Sequence, residues 1–279
     1  MNDMTPVLGR SRRRNVVAVA GASSGIGKAV ADRLSRICVV HGGSRRLCKP
    51  KAWLHHPLDV TSGHSVTAFV DQLLQREGRL DALIACAGFG LAGPVEVTAD
   101  DEIMRQFDVN VLGCHRLIRA VLPSMRERRS GKIIVIGSIG GLIGLPFAPF
   151  YSASKFALAG LVEALRIEVS PFGIDVTIVH PGDLNTEFGR HRILARAANG
   201  CDAYAKAFKK TLRFYAEQEE AGPSPDALAA TIERLLERRR LPASVVYGTM
   251  LERLGVLGKS ALPARAFEFV MRAAYGPRS

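Results

Sequence analysis

The sequence predicts an α/β fold: a single domain built on a parallel sheet with helices on both faces, followed by a helical appendage. Three observations carry this. Short β-branched runs alternate with longer stretches of helical periodicity through the N-terminal two thirds, the pattern of βαβ units. The first run leads directly into a glycine-rich turn that opens a helix. The chain has 279 residues, 47% hydrophobic and 23% charged, enough to bury a large core without metal or disulfide support.

Val16-Val17-Ala18-Val19-Ala20 is a near-continuous apolar run, as expected of a strand covered on both faces. Residues 25–35 follow as a helix, with Ile26, Val30 and Leu34 at i, i+4 and i+8. Cys38-Val39-Val40 reads as the second strand. A third ends at Leu58-Asp59-Val60, after an irregular stretch. Val66, Phe69, Val70, Leu73 and Leu74 mark a helix, 80–86 a strand, and 103–125 one long helix. Residues 132–137 form a strand, 151–169 a helix and 175–180 another strand. Beyond Pro181 the pattern turns helical and charged, with one short strand at Ser244-Val245-Val246-Tyr247 and a basic C-terminal tail.

Composition excludes disorder, collagen-like repeats and a disulfide-framed miniprotein. The five cysteines, Cys38, Cys48, Cys86, Cys114 and Cys201, are odd in number and scattered. With no C-x-x-C pair and no zinc-like spacing, they predict reduced thiols in a cytoplasmic setting and no metal site. Residues 10–14 followed by 16–20 imitate a signal peptide, and 133–154 is an uncharged stretch long enough to span a bilayer. The first apolar run is very short. The second is broken by Gly137, Gly140, Gly141, Gly144, Pro146 and Pro149, so both read as strands plus loops of a soluble chain. The 38 Lys plus Arg against 26 Asp plus Glu give a net charge of +12. The charge runs at 10–14, 126–129 and 237–240 lack base-reading or stacking companions and read as solvated faces, not a nucleic-acid site.

The turn Gly21-Ala22-Ser23-Ser24-Gly25-Ile26-Gly27 sits between the first strand and the first helix. Glycines there admit positive φ and let the backbone approach a pyrophosphate, while the helix N-terminus offers free N–H groups and a favourable dipole. A nicotinamide site for NAD places a carboxylate about 20 residues further on. From Arg33 through Leu58 there is no Asp or Glu. The second strand ends instead at Gly42-Gly43-Ser44-Arg45-Arg46, with Lys49 and Lys51 beyond. A hydroxyl and a guanidinium suit a 2′-phosphate, so NADP(H) is favoured over NAD(H), with Ser44 and Arg45 carrying it and Arg46 assisting.

Tyr151-Ser152-Ala153-Ser154-Lys155 opens a helix, and a spacing of four sets Tyr151 beside Lys155. A phenol with an ordinary pKa near 10 is a poor acid or base at neutral pH. A neighbouring ammonium and a positive nicotinamide ring would draw it toward the working range. Ser138, at the end of the preceding strand, offers a hydroxyl to hold a substrate carbonyl, and Asn110 could order a water connecting Lys155 to solvent.

On these residues the chain is identified as a member of the short-chain dehydrogenase/reductase superfamily. Gly21 to Gly27, Asp59-Val60, Asn110, Ser138, Tyr151 to Lys155 and Pro181-Gly182 carry the resemblance, over roughly residues 15–190. It implies a doubly wound Rossmann-type fold and a catalytic tetrad of Asn110, Ser138, Tyr151 and Lys155. It further implies cofactor contacts from Gly21, Ser23, Ser24, Gly25, Ile26 and Gly27, from Asp59 to the adenine amine, and from Val60. Lys155 would hold the nicotinamide ribose, Ala87 and Gly88 would contribute through the backbone, and Pro181, Gly182 and Thr186 would complete the site. Where the family usually has Asn-Asn-Ala-Gly, this chain has Ala85-Cys86-Ala87-Gly88, which predicts a loss of polar support for the central sheet. Residues 45–57 lack a clear strand–helix pattern.

Gly140-Gly141-Leu142-Ile143-Gly144-Leu145-Pro146-Phe147, with Phe89, Leu91, Pro149 and Phe188, predicts an apolar pocket lining. That stretch and residues 151–158 resemble the 17β-hydroxysteroid and retinol dehydrogenase branch. The resemblance implies a lipophilic secondary alcohol or ketone of steroid, retinoid or long-chain type, in a homo-dimer or homo-tetramer. Reduction of 3-oxoacyl thioesters and a non-catalytic NADP-sensing protein are the alternatives. The expected organisation is a basic extension at 1–14 and one domain over 15–279, with a lid at 183–225 and a helical tail at 250–279. A basic amphipathic helix over 262–272 offers either packing on the same domain or a subunit neighbour, the favoured reading, or a weak peripheral membrane contact.

Overall fold

The computed structural model describes residues 14–50 and 52–275. Lys51, the 1–13 part of the basic extension with most of its arginine run, and the last residues of the tail lie outside the described residues. Seven parallel strands form the main sheet: β1 (Val16–Ala20), β2 (Val39–Ser44), β3 (Leu54–Pro57), β4 (Ala82–Ala85), β6 (Gly131–Ile136), β7 (Ile174–Pro181) and β9 (Ser244–Tyr247), in the order β3-β2-β1-β4-β6-β7-β9. Two short strands, β5 (Leu91–Ala92) and β8 (Ile193–Leu194), pair separately.

The alternation of β1 explains the layers. Val16, Ala18 and Ala20 face one apolar cluster, Val17 and Val19 the other, and all five residues are buried. The first cluster is closed by α2 (Gly63–Glu77), α4 (Gly113–Glu127) and α5 (Pro149–Val169); the second by α1 (Gly25–Leu34) and α7 (Pro225–Glu237). The sheet is therefore wound on both faces. Strand order reverses between β1 and β4, which leaves a crevice beyond their C-terminal ends.

Three elements differ from the sequence expectation. The third strand is Leu54–Pro57, inside the stretch read as irregular, and Leu58 to Val60 follow it. Its histidines hid it: His55 and His56 occupy strand positions because Ser44 and His41 on β2 give their ring nitrogens partners at 2.8 and 2.9 Å. The described residues of 45–53 form no helix. The helix expected over 103–125 is divided into α3 (Asp100–Phe107), a π-helical turn at Asp108–Leu112, and α4. The C-terminal segment is two helices, α8 (Met250–Ala261) and α9 (Ala264–Tyr275), separated at Pro263, which cannot continue the first. No helix among the described residues is long and apolar enough to cross a membrane.

Residues 183–225 hold β8 and the long α6 (Asp202–Ala221). They are tied to the rest of the domain where Arg196 donates its N–H to Glu102 at 2.9 Å and Tyr215 its hydroxyl to the Pro146 carbonyl at 2.7 Å, and the two ends of the segment meet where Asn185 donates its N–H to the Pro223 carbonyl at 3.0 Å.

Candidate active site

A cavity of about 490 Å³ runs along the C-terminal edge of the sheet, where β1, β4, β6 and β7 end. One end is the glycine turn. Gly21 has φ +88° and Gly25 +52°, values an L side chain rarely adopts. A Cβ on Gly27 would lie 2.2 Å from the Gly21 carbonyl oxygen, so the turn and helix close only with glycine there. Ser24 caps α1 without a side-chain bond to the helix, leaving its first N–H groups directed at the cavity. This is a cradle for an anion that approaches backbone closely, and it fits a dinucleotide pyrophosphate.

Beside it lies the end of β2. Ser44 and Arg45 both line the cavity. The Ser44 hydroxyl is engaged, donating to the Arg46 carbonyl at 2.8 Å and bonded to His55 at 2.8 Å, while the Arg45 guanidinium is exposed and acts across space on the Asp59 carboxylate. Arg46 reaches back to the Ser24 hydroxyl at 2.8 Å. Asp59 accepts the N–H and hydroxyl of Thr61 at 3.0 and 2.8 Å, which holds its carboxyl below the usual range. Val60, Ala87, Gly88, Pro181, Gly182 and Thr186 complete this half of the wall, with Ser23 and Ile26.

The other half holds the reactive side chains. Ser138 ends β6 as the cap of a 3-10 turn, its hydroxyl accepting the Gly140 N–H at 3.0 Å. Pro149 starts α5, which delivers Tyr151 and Lys155 one turn apart. A Cβ built on Gly140 would be 3.3 Å from both Ser138 Oγ and Tyr151 Cε1, so hydroxyl and phenol border the same space. Lys155 Nζ lies 5.8 Å from the Tyr151 ring centre and donates to the Ile136 carbonyl at 2.9 Å. Burial lowers Lys155 to about 8 and raises Tyr151 to about 12, the Ser138 hydroxyl pulling the phenol partly back. Among the chain's own groups, desolvation of the phenol outweighs the charges around it.

Asn110 sits behind the cavity wall, in the π-helical turn, and is almost fully buried. Its amide donates to the Phe89 carbonyl and to Ser154 Oγ, each at 3.1 Å, and its oxygen accepts the Phe89 N–H at 3.0 Å. A Cβ on Gly88 would lie 3.1 Å from that oxygen and 3.8 Å from Lys155 Nζ, so Asn110 and Lys155 flank the same glycine. Cys86, where polar support was expected to be missing, packs with the apolar cluster beside α1, and its backbone N–H still bonds Ala20 at 2.9 Å.

These motifs lie in one stretch of matched sequence: the short chain dehydrogenase family matches residues 15–196. The chain belongs to the short-chain dehydrogenase family. The 3-ketodihydrosphingosine reductase of Bacteroides thetaiotaomicron is 38% identical over 265 residues, covering 94% of this chain and 98% of the relative. Human 17-beta-hydroxysteroid dehydrogenase type 1 is 40% identical over 193 residues, 63% of this chain and 58% of the human one, so the chain spans little more than half the length of that relative. A short-chain dehydrogenase structure from Streptomyces avermitilis superposes with a TM-score of 0.80 at 33% identity, covering 93% of this chain and 98% of that one.

This short-chain dehydrogenase is an oxidoreductase of a family that works with NAD(H) or NADP(H). Sequence reasoning missed one sector of its cavity. Asp183, Arg192, Tyr215, Glu219 and Tyr275 line it together, though spread over more than ninety positions. Arg192 pairs with Glu219, and Glu252 accepts the Asp183 N–H at 2.6 Å. Burial, then the Glu252 and Glu219 charges, raise Asp183 to about 7. The only sequence signal was a set of isolated charges within helical segments, which is also how a solvated face reads. Of the expected apolar residues, Phe89, Leu91, Leu145 and Phe188 are on the wall. Phe147 packs instead on Phe208 and Tyr204, with ring centres 5.5 and 6.3 Å away.

Proposed function

We propose that this short-chain dehydrogenase is an NADP(H)-dependent reductase of a long-chain lipophilic ketone bearing an amine close to the carbonyl. The observation that carries the reading is the convergence of the Tyr151 phenol, the Ser138 hydroxyl and the buried Lys155 amine on a cavity whose far end is a glycine cradle.

When bound, the cofactor supplies or accepts a hydride at the substrate carbon. Tyr151 gives its proton to the carbonyl oxygen in reduction and takes it back in oxidation. Its pKa of about 12 keeps the phenol protonated and ready to donate. Ser138 holds the same oxygen in position. Lys155 places a positive charge beside the phenolate as it forms, and Asn110 fixes the Phe89 backbone and Ser154 around that amine. Gly21 and Ser23 to Gly27 would hold the pyrophosphate, Asp59 and Val60 the adenine end, and Ala87, Gly88, Pro181, Gly182 and Thr186 the remainder, all of them lining the cavity. Arg45, exposed at the cavity edge and in no salt bridge among the described residues, favours the 2′-phosphate of NADP(H).

The substrate class follows from the wall opposite the cofactor. Phe89, Leu91 and Phe188 suit an alkyl chain, and Phe188 meets the Tyr151 ring at 5.7 Å. Asp183 and Glu219 add carboxylates close enough to influence Tyr151, with one guanidinium, Arg192, among them. Two carboxylates against one guanidinium on this wall suit an ammonium. The Bacteroides relative named for 3-ketodihydrosphingosine, a long-chain amino ketone, matches this chain nearly end to end, whereas the steroid relative matches it in part.

The test is NADPH oxidation with 3-ketodihydrosphingosine. Tyr151→Phe lowers turnover by about 10²–10⁴-fold while NADPH binding, followed by fluorescence titration, is retained. Equal turnover in variant and parent overturns the catalytic assignment. Binding without turnover in the parent, across steroid, retinoid and acyl carbonyls, favours the nucleotide-sensing alternative.

A further inference from the structure

Each of the two C-terminal helices leaves large apolar residues exposed on an outward face. On α8, Met250, Leu254, Leu257 and Ala261 fall at i, i+4, i+7 and i+11, a single stripe, and the first three are 70%, 55% and 64% exposed. The opposite face holds Glu252, Val256 and Lys259. Glu252 bonds the Asp183 N–H, and Lys259 reaches the Leu142 carbonyl at 2.6 Å while sitting 4.6 Å from the Phe156 ring centre. Glu252 and Lys259 bond back to the domain while the leucines face out.

The second helix repeats the arrangement. On α9, Phe267, Met271 and Tyr275 are half-buried on one face, with Tyr275 packed edge-on against Phe214 at 5.1 Å and lining the cavity. Phe269 and Val270 project from the other side, 74% and 50% exposed, with Ala266 and Ala273 between them. Neither helix contributes a fully buried residue. An outward apolar surface of this extent on an otherwise well-packed domain marks a contact site.

Charge decides the occupant. Arg253 and Arg265 border the two stripes with no acidic partner among the described residues, and Arg272 spans to Glu268 at 2.7 Å. The one other acid of the pair, Glu252, faces inward. A second copy of a chain of net charge +12 would bring like charge to a basic surface. An anionic bilayer brings the complement, and apolar side chains beneath an arginine collar are how a helix lies in the headgroup–acyl boundary.

We infer that the outward face of α8 and α9 docks this protein on the surface of an anionic phospholipid bilayer. The face presented to lipid is one helix away from the Tyr275 side of the cavity, so docking brings the substrate end of the site to the membrane. That last consequence rests on the lipophilic substrate proposed above; the docking does not.

The experiment is co-sedimentation of the full chain with vesicles of phosphatidylcholine alone and of phosphatidylcholine with phosphatidylglycerol. The expected result is binding to the anionic vesicles, weakened by salt, and about tenfold or more weaker in Leu254→Ser/Leu257→Ser/Phe269→Ser. Arg253→Glu/Arg265→Glu removes the preference for anionic vesicles. NADPH titration and thermal melting of each variant match the parent, because the substituted side chains are exposed and remote from the dinucleotide cradle. No sedimentation with either vesicle overturns the inference. So does a concentration-dependent dimer, measured by ultracentrifugation, that disappears in the serine variant without any vesicle binding. Vesicle binding is read without turnover, so its failure is distinguishable from failure of the proposed reaction.

Discussion

Lys155 donates to the carbonyl oxygen of Ile136 at 2.9 Å, so the amine one turn from Tyr151 is anchored on the end of β6 and not on the phenol. The strand therefore fixes the charge, and the helix fixes the acid beside it. Burial lowers the amine to about 8 and raises the phenol to about 12, which leaves a donor that stays protonated and a cation that titrates near neutrality.

The pH profile of ketone reduction follows. With an amine-free ketone, kcat/KM is expected to be level below about pH 8 and to fall above it as Lys155 loses its proton, since Tyr151 remains a donor throughout. The same shift has a stability consequence. Between about 8 and the ordinary lysine value of 10.5 the unfolded chain holds a proton that the folded chain has released, so stability of the cofactor-free protein rises with pH there. In Lys155→Met both effects vanish, and the neutral-pH unfolding free energy increases by about 1–3 kcal/mol. Urea unfolding across the pH series, beside steady-state kinetics, checks the pair; a variant with the parent's pH dependence contradicts it.

The proposed preference for NADP(H) rests on Arg45, the guanidinium at the cavity edge. Arg45→Glu is expected to raise the KM for NADPH by about 10–100-fold, with little change for NADH. Parallel changes for both cofactors would place the discriminating contact elsewhere.

Asp183 ionises through about pH 7 in the free protein. Affinity for an amine-bearing long-chain ketone is therefore expected to increase between roughly pH 6 and 8, while that for the amine-free ketone stays level. Asp183→Asn abolishes the difference and raises the KM for the amine-bearing substrate about tenfold or more. Competition between the two ketones at each pH reads this directly. A pH-independent ratio in the parent rejects the carboxylate as the amine's partner.

Thr177 on β7 is fully buried, and its hydroxyl is without a hydrogen-bond partner among the described residues. Its neighbours on that face are the apolar side chains beneath α1 and α7. Thr177→Val keeps the shape and removes the orphaned group, so it is expected to stabilise the protein by about 1 kcal/mol with unchanged kinetics. A lower melting temperature would show that the hydroxyl has a partner in solution.

Most of the scaffold was legible because its signals are local. A strand buried on both faces must be apolar at every position, as β1 is, and a helix packed on one face repeats at three and four, as α1 and α2 do. The elements that escaped are those where tertiary partners replace local pattern. β3 is a strand because His55 and His56 find ring partners on β2. The π-helical turn around Asn110 has no periodic signature, since its amide is satisfied by Phe89 and Ser154, distant in sequence.

The same division holds for the site. Gly21 to Gly27 and Tyr151 to Lys155 are single short segments whose chemistry depends on spacing along one turn or one helix, so the residue order alone determined them. The polar sector of the cavity was decided by folding: Asp183 follows β7, Arg192 and Glu219 come from the segment after it, and Tyr275 from α9. Long-range packing sets which isolated charges share one low-dielectric space, and that shared burial, which no local periodicity encodes, is what shifts their protonation.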